Sequence, residues 1–210
     1  MRRWNGWGDE DVVLSLPEPA RRFLIDRLGE AKPLPDVPYA TVLARLPASA
    51  LKAHRRVVTT REERLRHARG QSIPDLLALR SGDIGRTPDG IAYPVNGEEV
   101  RELLRYAAQR GAIVIPYGGG TSVVGHITPT SDPRPVLTID LGRMNQLLDL
   151  DAESRIATFG PGAPGPQVEA QLRAHGHMLG HFPQSFEYST LGGWVATRNS
   201  TSLRYAKARR

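Results

Sequence analysis

The sequence predicts an α+β protein: a mainly helical arm over residues 1–90, then strands and helices in alternation over residues 91–198. Three observations predict it. Up to residue 90, short helical patterns are broken by proline-rich connections. From Ile91 onward, strand and helix patterns alternate regularly. Residues 199–210 carry no apolar period and read as a basic, disordered tail.

Each element has a local reason. In the arm, Pro17 to Leu28 carries Phe23, Leu24, Ile25 and Leu28, with Gly29 placed to end a helix. Pro33, Pro35 and Pro38 mark an extended connection. Thr60 caps a charged helix to about Arg69, closed by Gly70; Ser72 caps another with Leu76, Leu77 and Leu79 on its apolar side. None of these pieces buries much alone, so the arm is expected to pack on something larger. Beyond it, Ile91 to Pro94 is a short strand, and Asn96 caps a helix whose stripe is Val100, Leu103, Leu104, Ala107 and Ala108, ended by Gly111. Ala112 to Pro116 is almost wholly apolar, the pattern of a strand buried on both faces. Val136 to Leu141 is a further strand. Leu147 to Leu150 and Arg155 to Phe159 form a hairpin, and Gly160 to Pro166 turns into a helix with Val168 and Leu172 that stops at Gly176.

Composition narrows the function. The 210 residues include no cysteine, which excludes disulfides, zinc–thiolate sites, iron–sulfur clusters and a thiol nucleophile. No apolar run reaches the ~18 residues of a membrane span, and a cytoplasmic location is expected. The net charge of +6 is concentrated at the end: without Arg198, Arg204, Lys207, Arg209 and Arg210, the chain has 23 basic residues against 22 acidic ones. Nucleic-acid binding is therefore disfavoured, because the excess does not line a folded face.

The strongest chemical signal is Gly118-Gly119-Gly120-Thr121-Ser122 directly after an apolar strand. Glycines let a backbone curl until several N–H groups converge on one anion, and such a nest suits a diphosphate. The loop has neither the Lys-Ser/Thr pair of a Walker loop nor the glycine spacing of the dinucleotide fingerprint. The same text also fits a plain glycine-rich turn. A second segment, Pro183 to Trp194, combines hydroxyls, an amide and the Gly192-Gly193 pair; Ser189 or Thr190 is placed to cap a helix and leave its first N–H groups pointing outward. His175, His177 and His181 do not have a common structural-zinc spacing.

Trp4-Asn5-Gly6-Trp7-Gly8, the Pro116–Ser122 loop and the Gly180–Thr197 segment together resemble the alkyldihydroxyacetonephosphate synthase branch of the FAD-binding oxidases with a PCMH-type (vanillyl-alcohol-oxidase-like) flavin domain. The resemblance runs from Arg3 to Arg198. It implies a partial PCMH-type FAD-binding domain over 91–198, whose first subdomain is a small mixed sheet flanked by helices, and FAD as cofactor. Pro116, Tyr117, Gly118, Gly119, Gly120, Thr121 and Ser122 would hold the pyrophosphate. Gln184, Ser185, Phe186, Glu187, Tyr188, Ser189 and Thr190 would run along the flavin and ribityl chain, and Thr197, Arg198, Asn199 and Ser200 would complete the pocket.

Family chains run to several hundred residues, with a catalytic tyrosine and histidine beyond position 210. The expectation is therefore an N-terminal fragment, inactive alone: a truncated gene product, a chain with a frame-shifted tail, or a split subunit whose partner is the missing C-terminal half of the enzyme. The alternatives are a piece of an FAD-linked 2-hydroxy-acid oxidase or dehydrogenase, and a non-catalytic interaction module whose basic tail contacts nucleic acid. His126 stands where a small residue is expected, and is either a flavin attachment site or a histidine facing water.

Overall fold

The computed structural model describes residues 2–31 and 36–198. Pro33, Pro35 and the 199–210 tail, with Asn199 and Ser200, lie outside the described residues. The elements follow as α1 (Glu18–Leu28), α2 (Tyr39–Arg45), β1 (Val57–Val58), α3 (Arg61–Arg66), α4 (Ile73–Ser81), β2 (Gly90–Ala92), α5 (Gly97–Gln109), β3 (Ile113–Tyr117), β4 (Val136–Asp140), β5 (Leu147–Asp151), β6 (Ile156–Phe159), α6 (Gly165–Arg173) and α7 (Leu191–Ala196).

A four-stranded sheet has the order β1-β2-β4-β3; β2 and β3 flank β4 in parallel, and β1 pairs with β2 antiparallel. Strand and helix do not alternate regularly, because a loop and not a helix carries β3 back to β4, and β5 and β6 follow directly; the fold is α+β, a small mixed sheet flanked by helices. β5 and β6 form the expected antiparallel hairpin. β4 is bonded along both edges, and Val136, Leu137 and Thr138 are fully buried. One side of the sheet packs Ala92, Leu137 and Ile139 against Leu103, Tyr106 and Ala107 of α5. Each fully buried leucine there, Leu103 and Leu137, contributes about 1.5–3 kcal/mol. A separate cluster of Ile115, Tyr117, Ile127 and Val136 seats the end of β3.

Several local expectations are corrected. β3 is an edge strand, not one buried on both faces: Pro116 is exposed, and its missing N–H suits an edge. Leu104 and Ala108 of α5 face solvent, and the buried stripe is Leu103, Tyr106 and Ala107, the i, i+3, i+4 set. The Tyr106 hydroxyl leaves the apolar layer by donating to the Lys52 carbonyl at 2.6 Å. Thr60 caps α3 through the Glu63 amide, but the helix ends at Arg66, not Arg69. Gly70 does not close it. A Cβ there would stand 2.3 Å from the Ser122 carbonyl oxygen, so this glycine allows the arm to touch the glycine loop.

The arm has more core than its sequence suggests. Val42, Leu46, Leu65, Leu79 and Ile84 gather α2, α3 and α4 around a buried cluster, with Trp4 and Tyr39 against it. Leu77, expected on the apolar side of α4, is exposed. Arg64, 1% exposed, donates to the carbonyls of Pro88 (2.7 Å) and Pro47 (2.8 Å) and to Thr87 Oγ1 (3.2 Å), which ties α3 to the entry of β2. Asp89 accepts from Ala50 N and Val136 N, joining the same entry to β4. In contrast, α1 buries no residue.

Candidate functional site

β3 delivers the chain from the sheet edge into the Gly118–Ser122 loop. The three glycines are required by close approach. A Cβ on Gly118 would stand 2.3 Å from Thr190 Oγ1, and one on Gly119 would stand 1.7 Å from the Tyr188 carbonyl oxygen. At Gly120 φ is +66°, and a Cβ would lie 2.1 Å from the Tyr117 hydroxyl. The loop therefore rests directly on the backbone of residues 188–190. Among the described residues, none of the N–H groups of Gly118, Gly119, Gly120, Thr121 and Ser122 donates to a protein acceptor. Five successive amides without partners, in a bend with a left-handed glycine, make an anion nest.

The opposite wall is built by the segment before α7. Tyr188 N and Ser189 N both donate to the Ser185 carbonyl, at 2.9 and 2.7 Å. Ser189 Oγ accepts from Trp194 Nε1 at 2.8 Å and donates to the Gln184 carbonyl. The expected set of free N–H groups at the start of α7 is corrected. Thr190 is the N-cap residue without a side-chain cap, and the first amides are used: Leu191 N bonds the Ala163 carbonyl at 2.9 Å and Gly192 N the Pro161 carbonyl at 2.8 Å. A Cβ on Gly192 would stand 2.8 Å from the Pro161 carbonyl oxygen, so that glycine serves packing.

Between the walls lies a cleft of about 790 Å³, within the size range of cofactor sites. It brings together Pro116, Gly118, Gly119, Gly120, Thr121, Ser122, Gln184, Ser185, Ser189, Thr190, Thr197 and Arg198, two segments more than sixty residues apart in sequence. Four residues named with them do not line it. The Tyr117 side chain is buried on the far side, its ring 4.6 Å from that of His67. Phe186 packs on Phe182 and Trp194, Glu187 is exposed elsewhere, and Tyr188 turns its ring to Trp7 and Arg2. Sequence reasoning missed Val123, Val124, Ile127 and Ala196, and took in Gly193 and Trp194 only as part of the Pro183–Trp194 segment; the Val123-Val124 pair right after the loop, exposed in the structure, was the available signal. Ser185 (φ 60°) and Arg198 (φ 51°) hold left-handed backbone without being glycine, a strain that concentrates at binding sites.

The electrostatics suit an anion. Among the described residues the lining contains no carboxylate, and its ionisable side chains are His126 and Arg198. Behind the loop, a second cavity of about 210 Å³ is bordered by Arg2, Arg3, Arg66 and Arg69 together with His67 and Asp140. His67 Nε2 lies 3.1 Å from Asp140 Oδ2, and burial pushes the Tyr117 phenol up to about 12. Arg66 and Arg69 are paired with Glu10 and Asp75, while Arg2 donates to the Gly119 carbonyl and brings positive charge to the loop. His181 packs its ring edge-on against Trp194, and among the described residues no three His, Asp or Glu side chains gather as a metal-binding set. Among them, too, no helix is long and apolar enough to cross a membrane. A diphosphate fits this cradle: its amides are unpartnered, and a Cβ at any of the three glycines would collide with the loop's surroundings.

Comparison with known proteins points the same way. A family profile described as FAD binding domain matches residues 88–208. An alkyldihydroxyacetonephosphate synthase of Trypanosoma brucei brucei is 33% identical over 235 aligned residues, covering 96% of this chain and 38% of the relative. The protein of that name from Dictyostelium discoideum is 43% identical over 137 residues, 65% of this chain and 22% of the relative. A solved alkyldihydroxyacetonephosphate synthase structure superposes with a TM-score of 0.78 at 31% identity, over 94% of this chain and 42% of that one. The chain thus spans well under half the length of the relatives it matches.

Proposed function

The chain belongs to the FAD binding domain family and its cofactor is FAD; from that premise we propose that it forms the cofactor-holding part of an alkyldihydroxyacetonephosphate-synthase-like flavoenzyme. The observation that carries the reading is the run of unpartnered amides from Gly118 to Ser122, open to a cleft without a carboxylate. In this reading those amides hold the FAD pyrophosphate. Gln184, Ser185, Ser189 and Thr190 line the path of the ribityl chain and flavin, and Thr197 and Arg198 close the end. Bound FAD supplies a ring nitrogen that takes part in exchanging an acyl group for a long-chain alcohol in synthases, or accepts a hydride in oxidases.

The chain's own residues bind and orient. The loop amides present fixed donors to the diphosphate, and the exposed Val123 and Val124 give the rim an apolar surface. Alkyl exchange itself belongs to the whole enzyme, with its remaining machinery on the same polypeptide or on a second chain that completes the cleft. The sequence similarity to synthases over 96% of this chain favours them over 2-hydroxy-acid oxidoreductases.

Titration of the purified chain with FAD, followed by flavin fluorescence and competed with ADP, tests the reading. Saturable binding that ADP displaces is expected, because ADP carries the same diphosphate. Absence of binding at millimolar FAD would overturn it. Bleaching of the bound flavin by glycolate or D-lactate would move the assignment to the 2-hydroxy-acid enzymes.

A further inference from the structure

The glycine loop stands between the cleft and the rear cavity, and Gly118 and Gly120 border both. A trans peptide is planar, with C=O and N–H pointing in opposite directions, so fixing one carbonyl aims the next residue's amide the other way. Three carbonyls of the loop are held in this manner. The Tyr117 carbonyl accepts from Leu141 N at 3.0 Å, within the sheet domain, and the Ser122 carbonyl accepts from Gln71 N at 2.7 Å, in the arm. The middle one, on Gly119, accepts from Arg2 Nη1, and Arg2 borders the rear cavity, not the cleft.

Arg2 is itself braced. Its backbone forms a bridge with Asp9, its carbonyl accepts from Arg66 Nη1 at 3.0 Å, and its guanidinium lies 4.8 Å over the Tyr188 ring. Trp7 also meets Tyr188, edge-on at 5.2 Å. One side chain thus joins the loop to the opposite wall of the cleft.

We propose that Arg2 is a positioning residue of the cofactor loop: it holds the Gly119 carbonyl and thereby aims the Gly120 amide at the diphosphate. The inference rests on the FAD reading above and adds to it that affinity depends on a residue of the N-terminal arm. The arm is then part of the binding machinery, acting by preorganisation without touching the ligand.

The test compares FAD dissociation constants of the unaltered chain, Arg2→Met and Arg2→Lys, with a thermal melt of each. Arg2→Met keeps the stem against Tyr188 and removes the donor; its affinity should fall on the order of tenfold, the size of one charge-assisted hydrogen bond. Arg2→Lys keeps a cationic donor and should recover most of that loss. Should Arg2→Met fail to fold, Arg2→Gln takes its place. Gly70→Ala, which drives a Cβ against the Ser122 carbonyl, should weaken FAD independently. Arg2→Met binding FAD within twofold of the unaltered chain, or losing it no more than Arg2→Lys does, would overturn the inference alone. Failure of the unaltered chain to bind FAD would overturn the functional reading and this inference with it.

Discussion

The two faces of the Tyr117–Ser122 loop are built to opposite rules. On the inner face the Tyr117, Gly119 and Ser122 carbonyls are all bonded, the Tyr117 ring is buried, and His67 pairs with Asp140. On the cleft side, Gly118 to Ser122 line the cavity with amides that lack protein partners, and Val123 and Val124 stand in solvent. A finished rear face makes an unfinished front face possible. Open amides stay aimed only if the rest of each peptide is fixed, so the arm and sheet carry the structural load that the cleft leaves unfilled.

Forcing the loop off the segment it rests on should have the largest effect. Gly119→Val would place a Cβ where only 1.7 Å separates it from the Tyr188 carbonyl oxygen, and backbone must move. FAD affinity should drop on the order of a hundredfold or more in a flavin titration; unchanged affinity would mean that the loop does not rest on 188–190.

Loosening the rear scaffold comes next. Arg64→Leu strips the Pro47 and Pro88 carbonyls and Thr87 of their buried donor, and should destabilise the fold by about 2–4 kcal/mol in urea unfolding. Burial lowers the affinity of the Arg64 guanidinium for its proton, partly offset by the charge of Asp89. A loss within the range of an ordinary surface substitution would show that the arm docks without it.

The inner face should also be sensitive to alkali. Burial raises the Tyr117 phenol from 10.0 to about 12, with the nearby Arg2 charge opposing the shift. The folded state thus favours the neutral phenol. That stability is whole below pH 10 and is lost as pH climbs from 10 to 12, about 3 kcal/mol in all. Tyr117→Phe should unfold with a correspondingly flatter alkaline limb in melts taken across this range. Identical limbs for the two proteins would remove the phenol from the account.

Much of this was legible in the residues. Three adjacent glycines after an apolar strand, and a hydroxyl-rich segment ending in Gly192-Gly193, mark two walls by chemistry that needs no tertiary knowledge. Caps read equally well: Thr60, Ser72 and Asn96 each accept from the amide three residues on. What was not legible is direction. Tyr188 and Phe186 sit in irregular backbone, where no helix or strand period says which way a ring turns, and both turn from the cleft. The amides opening α7 were bonded by Pro161 and Ala163, some thirty residues earlier, a pairing no local pattern announces. β1 is two residues long, too short for any alternation, and β3 became an edge because β4 occupies the centre of the sheet. Arg2 carried no signal beyond its charge.

The central claim is that the free amides of the glycine bend grip the cofactor's diphosphate. The most direct measurement is a titration of the intact, ¹⁵N-labelled chain with unlabelled FAD that follows the Gly118, Gly119 and Gly120 amide resonances. These amides should shift downfield together and saturate at one FAD per chain. If fluorescence reports bound flavin while the three resonances stay where they were, the cofactor is held elsewhere and the claim is contradicted.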